Sequence, residues 1–302
     1  MNLSKELLDE LITKINREKA ISTYIIEKDY YVTKLLKEII KKDFNFVFKG
    51  GTSLSKCYKI INRFSEDIDL NYDFNGKILS KTKRLFINEI IESSAKECCL
   101  LLIDSKSINT EKDYNKYEFS YFKTHADKEY IKTNIEIETA FFLDSEPIEI
   151  QKANSIIGEY LLEKNRIDLI EKYDLKAFDV KVQSYKRTFI DKIFAICDYY
   201  HNKKSNFTSR HLYDLYKLFP LIKFDEEFYY VFDNVKQKRI EKKIGAQYLE
   251  RRSISEQLQS IINSDFYKHD YNSNTTLICA EKISYKTVID CIQIIKSKLK
   301  GR

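Results

Sequence analysis

The chain has no tryptophan, one methionine, two prolines and only six glycines in 302 residues. So little glycine and proline excludes collagen-like and linker-rich architectures and points to regular elements with few tight turns. No apolar run approaches the about 18 consecutive residues that a membrane-spanning helix needs. The six cysteines (Cys57, Cys98, Cys99, Cys197, Cys279 and Cys291) contain no C-x-x-C pair, which excludes the usual zinc-ribbon and dithiol redox spacings. Nothing in Met1–Lys5 has the pattern of a secretory leader. The expectation is a cytoplasmic protein with buried thiols and no membrane partner.

What is present argues for a folded core. Apolar residues make up 43% of the chain, enough to exclude wholesale disorder. Basic residues number 52 against 46 acidic, a net charge of +6, so where the excess lies matters more than its size. Between Lys181 and Lys217 there are eight Lys or Arg against three Asp or Glu. A second basic group runs through Lys236, Lys238, Arg239, Lys242, Lys243, Arg251 and Arg252, with Tyr229, Tyr230 and Tyr248 beside it. Such runs are usually solvated helix faces; a surface for RNA backbone is the sharper alternative.

Apolar periodicity predicts helices from Leu3 to about Ile40, interrupted near Ala20-Ile21-Ser22. Strands are expected at 45–48, 68–72, 117–122 and 131–138, with a helix over 81–98. Beyond Asp144-Ser145-Glu146-Pro147 the pattern turns helical, with helices expected over 188–201, 209–218, 226–249, 254–266 and 284–299. The reading is an α+β fold: a mixed sheet flanked by helices over residues 1–147, then a mostly helical domain over 148–302.

Two of the six glycines, Gly50 and Gly51, stand together after the apolar run Phe46-Val47-Phe48. The spacing predicts a turn there and a helix from Leu54 to about Asn62, a natural seat for phosphate. Asp67 and Asp69 follow, flanked by Ile68 and Leu70. On a strand that alternation turns both carboxylates to one face and both aliphatics to the core. Such a pair suits hard cations, as metal-dependent phosphoryl or nucleotidyl transfer requires. A third carboxylate is sought in Ile135-Glu136-Ile137-Glu138, where Glu136 is the choice and Glu138 the reserve. Lys192 lies in the apolar helix Phe189-Ile190-Asp191-Lys192-Ile193-Phe194-Ala195 and could meet phosphate as a compact charge. Arg210 and Asp214, four apart, share a helix face. His211 has no cysteine or histidine at zinc spacing.

At these residues the chain resembles the AbiEii/AbiGii toxin family of nucleotidyltransferases, a branch of the DNA polymerase β-like superfamily. Lys49-Gly50-Gly51-Thr52-Ser53-Leu54 with Arg63-Phe64-Ser65-Glu66-Asp67-Ile68-Asp69-Leu70 looks like the family's first motif. Glu27-Lys28-Asp29-Tyr30-Tyr31-Val32 looks like its N-terminal E-K-D helix, and Ile135-Glu136-Ile137 fits its third-carboxylate strand. Asp191-Lys192 and Arg210-His211-Leu212-Tyr213-Asp214-Leu215 look like its later motifs, although His211 and Asp191 stand where relatives often carry aspartate and glutamate. The resemblance implies a nucleotidyltransferase-like sheet and transfer of a nucleotide from an NTP, with Mg²⁺ (or Mn²⁺), onto an acceptor. In relatives the acceptor can be the tRNA 3′ end, and the enzyme is the toxin of a toxin–antitoxin or phage-defence system with a co-encoded antitoxin. On that analogy Gly50, Gly51, Thr52 and Ser53 hold the triphosphate, with Lys192 and Arg210. Asp67 and Asp69 hold metal, Glu136 is third carboxylate or base, and Asp214 completes the site. A protein or small-molecule acceptor, or a catalytically silent NTP-binding interaction protein, remains the alternative.

Overall fold

A computed structural model describes residues 3–74, 79–103, 108–109, 111–123, 125 and 134–302. Two helices open the chain. In α1 (Lys5–Lys19), the Ser4 hydroxyl caps the first turn by accepting from the Leu7 N–H, and Leu8, Leu11, Ile12 and Ile15 form the buried stripe. Ala20 in the left-handed region ends it, where the apolar pattern breaks. The next helix, α2 (Thr23–Lys42), buries Ile26, Val32, Leu35, Leu36 and Ile39, but also Glu27 and Lys28.

The sheet follows: β1 (Phe46–Lys49), β2 (Ile68–Tyr72), β3 (Leu101–Leu102), β4 (Tyr114–Ser120), β5 (Ile135–Ala140), β6 (Ile148–Ala153) and β7 (Phe178–Gln183). The strands lie in the order β3-β4-β5-β2-β1-β7-β6. It is a mixed sheet: β1 and β2 are antiparallel, β1 and β7 parallel, β2 and β5 parallel, β4 and β5 antiparallel. Four helices belong to this part: α3 (Gly50–Lys56), α4 (Lys81–Glu97), α5 (Ile156–Glu163) and α6 (Ile167–Lys172). Phe46, Phe48, Leu70, Ile137 and Val180 from the strands share one core with Leu35 and Ile39 of α2 and Ile91 of α4.

The chain divides into two compact units. The first is Met1–Tyr58 with Ser65–Val182; the second is Lys59–Phe64 with Gln183–Arg302. The division expected after residue 147 thus stands against a structural one after Val182. Between the two points lie β6, α5, α6 and β7, and β7 pairs with β1.

The second unit is helical: α7 (Tyr185–His201), α8 (Arg210–Leu218), α9 (Glu226–Glu241), α10 (Ala246–Leu249), α11 (Ile254–Ser264), the single turns α12 (Lys268–Asp270) and α13 (Thr276–Ile278), and α14 (Tyr285–Lys298). The helix expected over 226–249 is two, parted at Lys243 and Gly245, both at positive φ. Residues 59–64 join this unit through a bridge between Arg63 and Cys279, with the Phe64 N–H donating to the Ile278 carbonyl at 2.9 Å and the Ala280 N–H to the Asn62 carbonyl at 2.8 Å. The helix expected over 54–62 therefore stops at Lys56: Lys59 takes a left-handed conformation, and the chain goes on to pair elsewhere.

Candidate active site

Register puts the acidic residues side by side. Asp69 on β2 faces Glu138 on β5, and Ile68 faces Ile137. On the outer sides, Lys49 of β1 pairs with Asp69 and Lys116 of β4 pairs with Glu138. Opposed residues on neighbouring strands point the same way, so one row across four strands reads lysine, glutamate, aspartate, lysine. Asp67 and Glu136 come two residues before the acidic members of that row. The reserve choice, Glu138, is therefore the direct neighbour of Asp69. Glu136 is buried, and Lys116 Nζ lies 3.2 Å from its Oε1 while also meeting Glu118 at 2.7 Å. Burial, then Glu138 and more weakly Asp69, push the Tyr114 hydroxyl well above its ordinary pKa.

The glycine turn approaches this row from β1. Gly50 has φ +74°, and a Cβ added there would lie 1.8 Å from Asp69 Oδ2. Both the left-handed backbone and the space taken by the carboxylate require glycine. Ser53 Oγ donates to the Gly50 carbonyl at 2.9 Å, and the Thr52 and Ser65 hydroxyls share a hydrogen bond of 2.9 Å. Both expected triphosphate hydroxyls are thus buried and hydrogen-bonded, Ser53 within the turn and Thr52 to the segment leading into Asp67.

Three residues near the acids had drawn no role from the sequence: Lys28, Ser65 and Lys116. Lys28 left a signal, since Glu27 and Lys28 fall on the same stripe of α2 as Tyr24, Leu35 and Ile39, where apolar residues are expected. Asp29, next to them, is ion-paired with Lys56 of α3 and accepts the Ile156 N–H at 2.8 Å.

In the second unit the later motifs converge. Asp214 of α8 receives Arg63 on both oxygens, Nε on Oδ1 and Nη2 on Oδ2, each at 2.6 Å. Lys192 of α7 donates to Asp214 Oδ2 at 2.5 Å and lies 3.5 Å from His211 Nδ1. Burial alone would raise the Asp214 carboxyl, but Arg63 and Lys192 hold it well below the usual carboxylate range. Burial, then Lys192 and Arg210, keep His211 well below its ordinary value, so its imidazole is neutral at pH 7. Arg63 and Lys192 thus share one carboxylate that is itself 0% exposed, and burial lowers the Lys192 pKa from its ordinary value. With both bases protonated the cluster favours an anion. Asp191, beside Lys192, meets Arg187 Nε at 3.1 Å and Gln183 Nε2 at 2.9 Å.

Among the described residues no three His, Cys, Asp or Glu side chains converge into a closed metal cage. The first unit instead has an open, all-oxygen carboxylate pair beside a glycine that leaves room for Asp69. That donor set fits a hard divalent cation, which commonly takes one or two carboxylates and completes its shell with water and substrate phosphate.

A mixed sheet carrying this carboxylate pair behind a glycine turn fits a nucleotidyltransferase. The chain belongs to the AbiEii family, nucleotidyl transferase toxins of type IV toxin–antitoxin systems, whose profile matches residues 34–273. Seven chains of solved structures match it, among them MenT4, a nucleotidyltransferase toxin from Mycobacterium tuberculosis H37Rv, at 14% identity. That match has a TM-score of 0.54 over 100% of this chain and 91% of the other, and at such identity it establishes the fold. No curated protein matches the chain. Among the described residues no helix is long and apolar enough to cross a membrane.

Proposed function

We propose that this nucleotidyltransferase moves a nucleoside monophosphate from an NTP onto the 3′ end of a tRNA, releasing pyrophosphate, and that a co-encoded antitoxin restrains it. The observation carrying the chemistry is the Asp69–Glu138 pairing beside Gly50. Asp67 and Asp69 would hold Mg²⁺ (or Mn²⁺), with Glu136 or Glu138 as third carboxylate; when bound, the cation supplies charge against the phosphates and the leaving pyrophosphate. Glu136 is our choice for receiving the proton of the attacking hydroxyl. Gly50, Gly51, Thr52 and Ser53 would border the triphosphate. Lys192 and Arg210 would meet phosphate charge, and Asp214 would orient Lys192, to which it is bonded. Support for a polyanionic acceptor comes from the exposed Lys238, Lys242, Lys243, Arg251 and Arg252 of the second unit.

The test supplies each α-labelled NTP, Mg²⁺ and total tRNA to the full-length protein and to Asp67→Ala. Label on RNA with the wild type alone is expected. Turnover with label on protein or on a small molecule instead would overturn the RNA acceptor, and no turnover on any acceptor would overturn the enzyme's proposed chemistry.

A further inference from the structure

One charged pair in the first unit has no place in the chemistry above. Lys28 is 1% exposed on the core side of α2. Its ammonium is ion-paired with Glu66, the residue preceding Asp67, and the Tyr24 hydroxyl donates to the same Glu66 Oε2 at 3.3 Å. The charges of Asp67 and Glu136 also act on it. A buried ion pair seldom stabilises more than apolar side chains of the same volume, because both ions lose their water. A lysine held at such a position, against Glu66, Asp67 and Glu136, is placed to govern their combined charge.

We propose that Lys28 is a positioning residue, holding Glu66 away from the metal ligands and cancelling its charge, so that the Asp67–Asp69 site binds a divalent cation less tightly than it would with the Glu66 charge uncancelled. The inference rests on the reading of Asp67 and Asp69 as metal ligands. It makes Glu66 a partner of Lys28 and not a ligand, and it treats the pair as neutral in the site's net charge.

The test is Mn²⁺ titration of the full-length protein, with free Mn²⁺ followed by electron paramagnetic resonance, so that no turnover is needed. Lys28→Gln is expected to bind Mn²⁺ about tenfold tighter, because the charge that cancels Glu66 and acts on Asp67 has been removed. Glu66→Gln should bind about tenfold weaker, since Glu66 then no longer cancels the Lys28 charge. The double variant should return close to the wild type, as should Lys28→Arg. Unchanged or weaker binding in Lys28→Gln overturns the proposal. So does a double variant as weak as Glu66→Gln, which would make Glu66 a ligand. If Lys28→Gln does not fold, the Glu66→Gln and double variants decide by the same outcomes. Asp69→Asn separates the two levels: Mn²⁺ binding that survives it overturns the metal reading and this proposal together. Binding lost in Asp69→Asn but indifferent to Lys28 and Glu66 overturns this proposal alone.

Discussion

Adding one methyl group at Gly50 should disable the enzyme while leaving it folded. The new Cβ would lie 1.8 Å from Asp69 Oδ2 and 2.7 Å from Asp69 Cγ. To regain an ordinary separation of about 3.5 Å, the carboxylate oxygen would have to retreat by about 1.7 Å. The strand itself has little freedom to move, because Asp69 is paired with Lys49 on one side and Glu138 on the other. The side chain must therefore swing away. A displacement of about 1 Å in a reacting group costs on the order of 10²-fold in rate, so kcat/KM for nucleotide transfer should fall about a hundredfold or more in Gly50→Ala. The backbone adds about 1–2 kcal/mol, since a φ of this sign disfavours any residue with a Cβ. Melting temperature should drop by only a few degrees. Pyrophosphate release at saturating NTP and Mg²⁺, with thermal unfolding in parallel, reads both effects. Gly245→Ala is the control: it stands at φ +67° in the second unit and its Cβ would press on Tyr248 at 2.7 Å, so it should lose comparable stability and keep transfer. Near-wild-type transfer by Gly50→Ala would refute the claim that the approach of this turn to Asp69 is required.

Asp214→Asn leaves Arg63 and Lys192 facing each other with no buried counter-charge, and should cost about 3–5 kcal/mol in urea unfolding; a change near zero would mean the cluster relaxes into water. His211 gives a pH signature. Its folded pKa is held below 6.5, so the unfolded chain takes up the proton first as pH falls. Stability is then complete above about pH 6.5 and declines below it, by up to about 1.4 kcal/mol per pH unit. Melting curves from pH 8 to 5 should slope less in His211→Gln than in the wild type, and identical slopes would sink the assignment.

Local pattern carried much of this. The strand expected at 68–72 is the one observed, and the break near residue 20 is the end of α1. The carboxylates announced themselves because alternation with Ile68 and Leu70 is a two-residue signal. Strand β6 did not: it is only partly covered, with Ile150 62% exposed, so its pattern has little contrast; β7 alternates Phe178, Val180 and Val182 with Asp179 and Lys181, the same two-residue signal, which the expectation of helices beyond residue 147 passed over. The first residues of the strand expected over 131–138 lie outside the described residues. The end of α3 was hidden because its left-handed residue is a lysine and not a glycine. Arg63 and Asp214 are 151 residues apart, and no local periodicity reaches across that span.

The six residues from Lys59 to Phe64 give the chain an unusual order of assembly. They lie between the glycine turn and Asp67 in sequence, yet they complete the helical unit, whose remaining residues are made only after Val182. During synthesis Arg63 emerges long before Asp214 exists to receive it, so the second unit closes on a segment already exported. Cutting the chain after Val182 would therefore leave the first unit complete but carrying a stranded arginine, and the second would lack the residue that holds its buried aspartate.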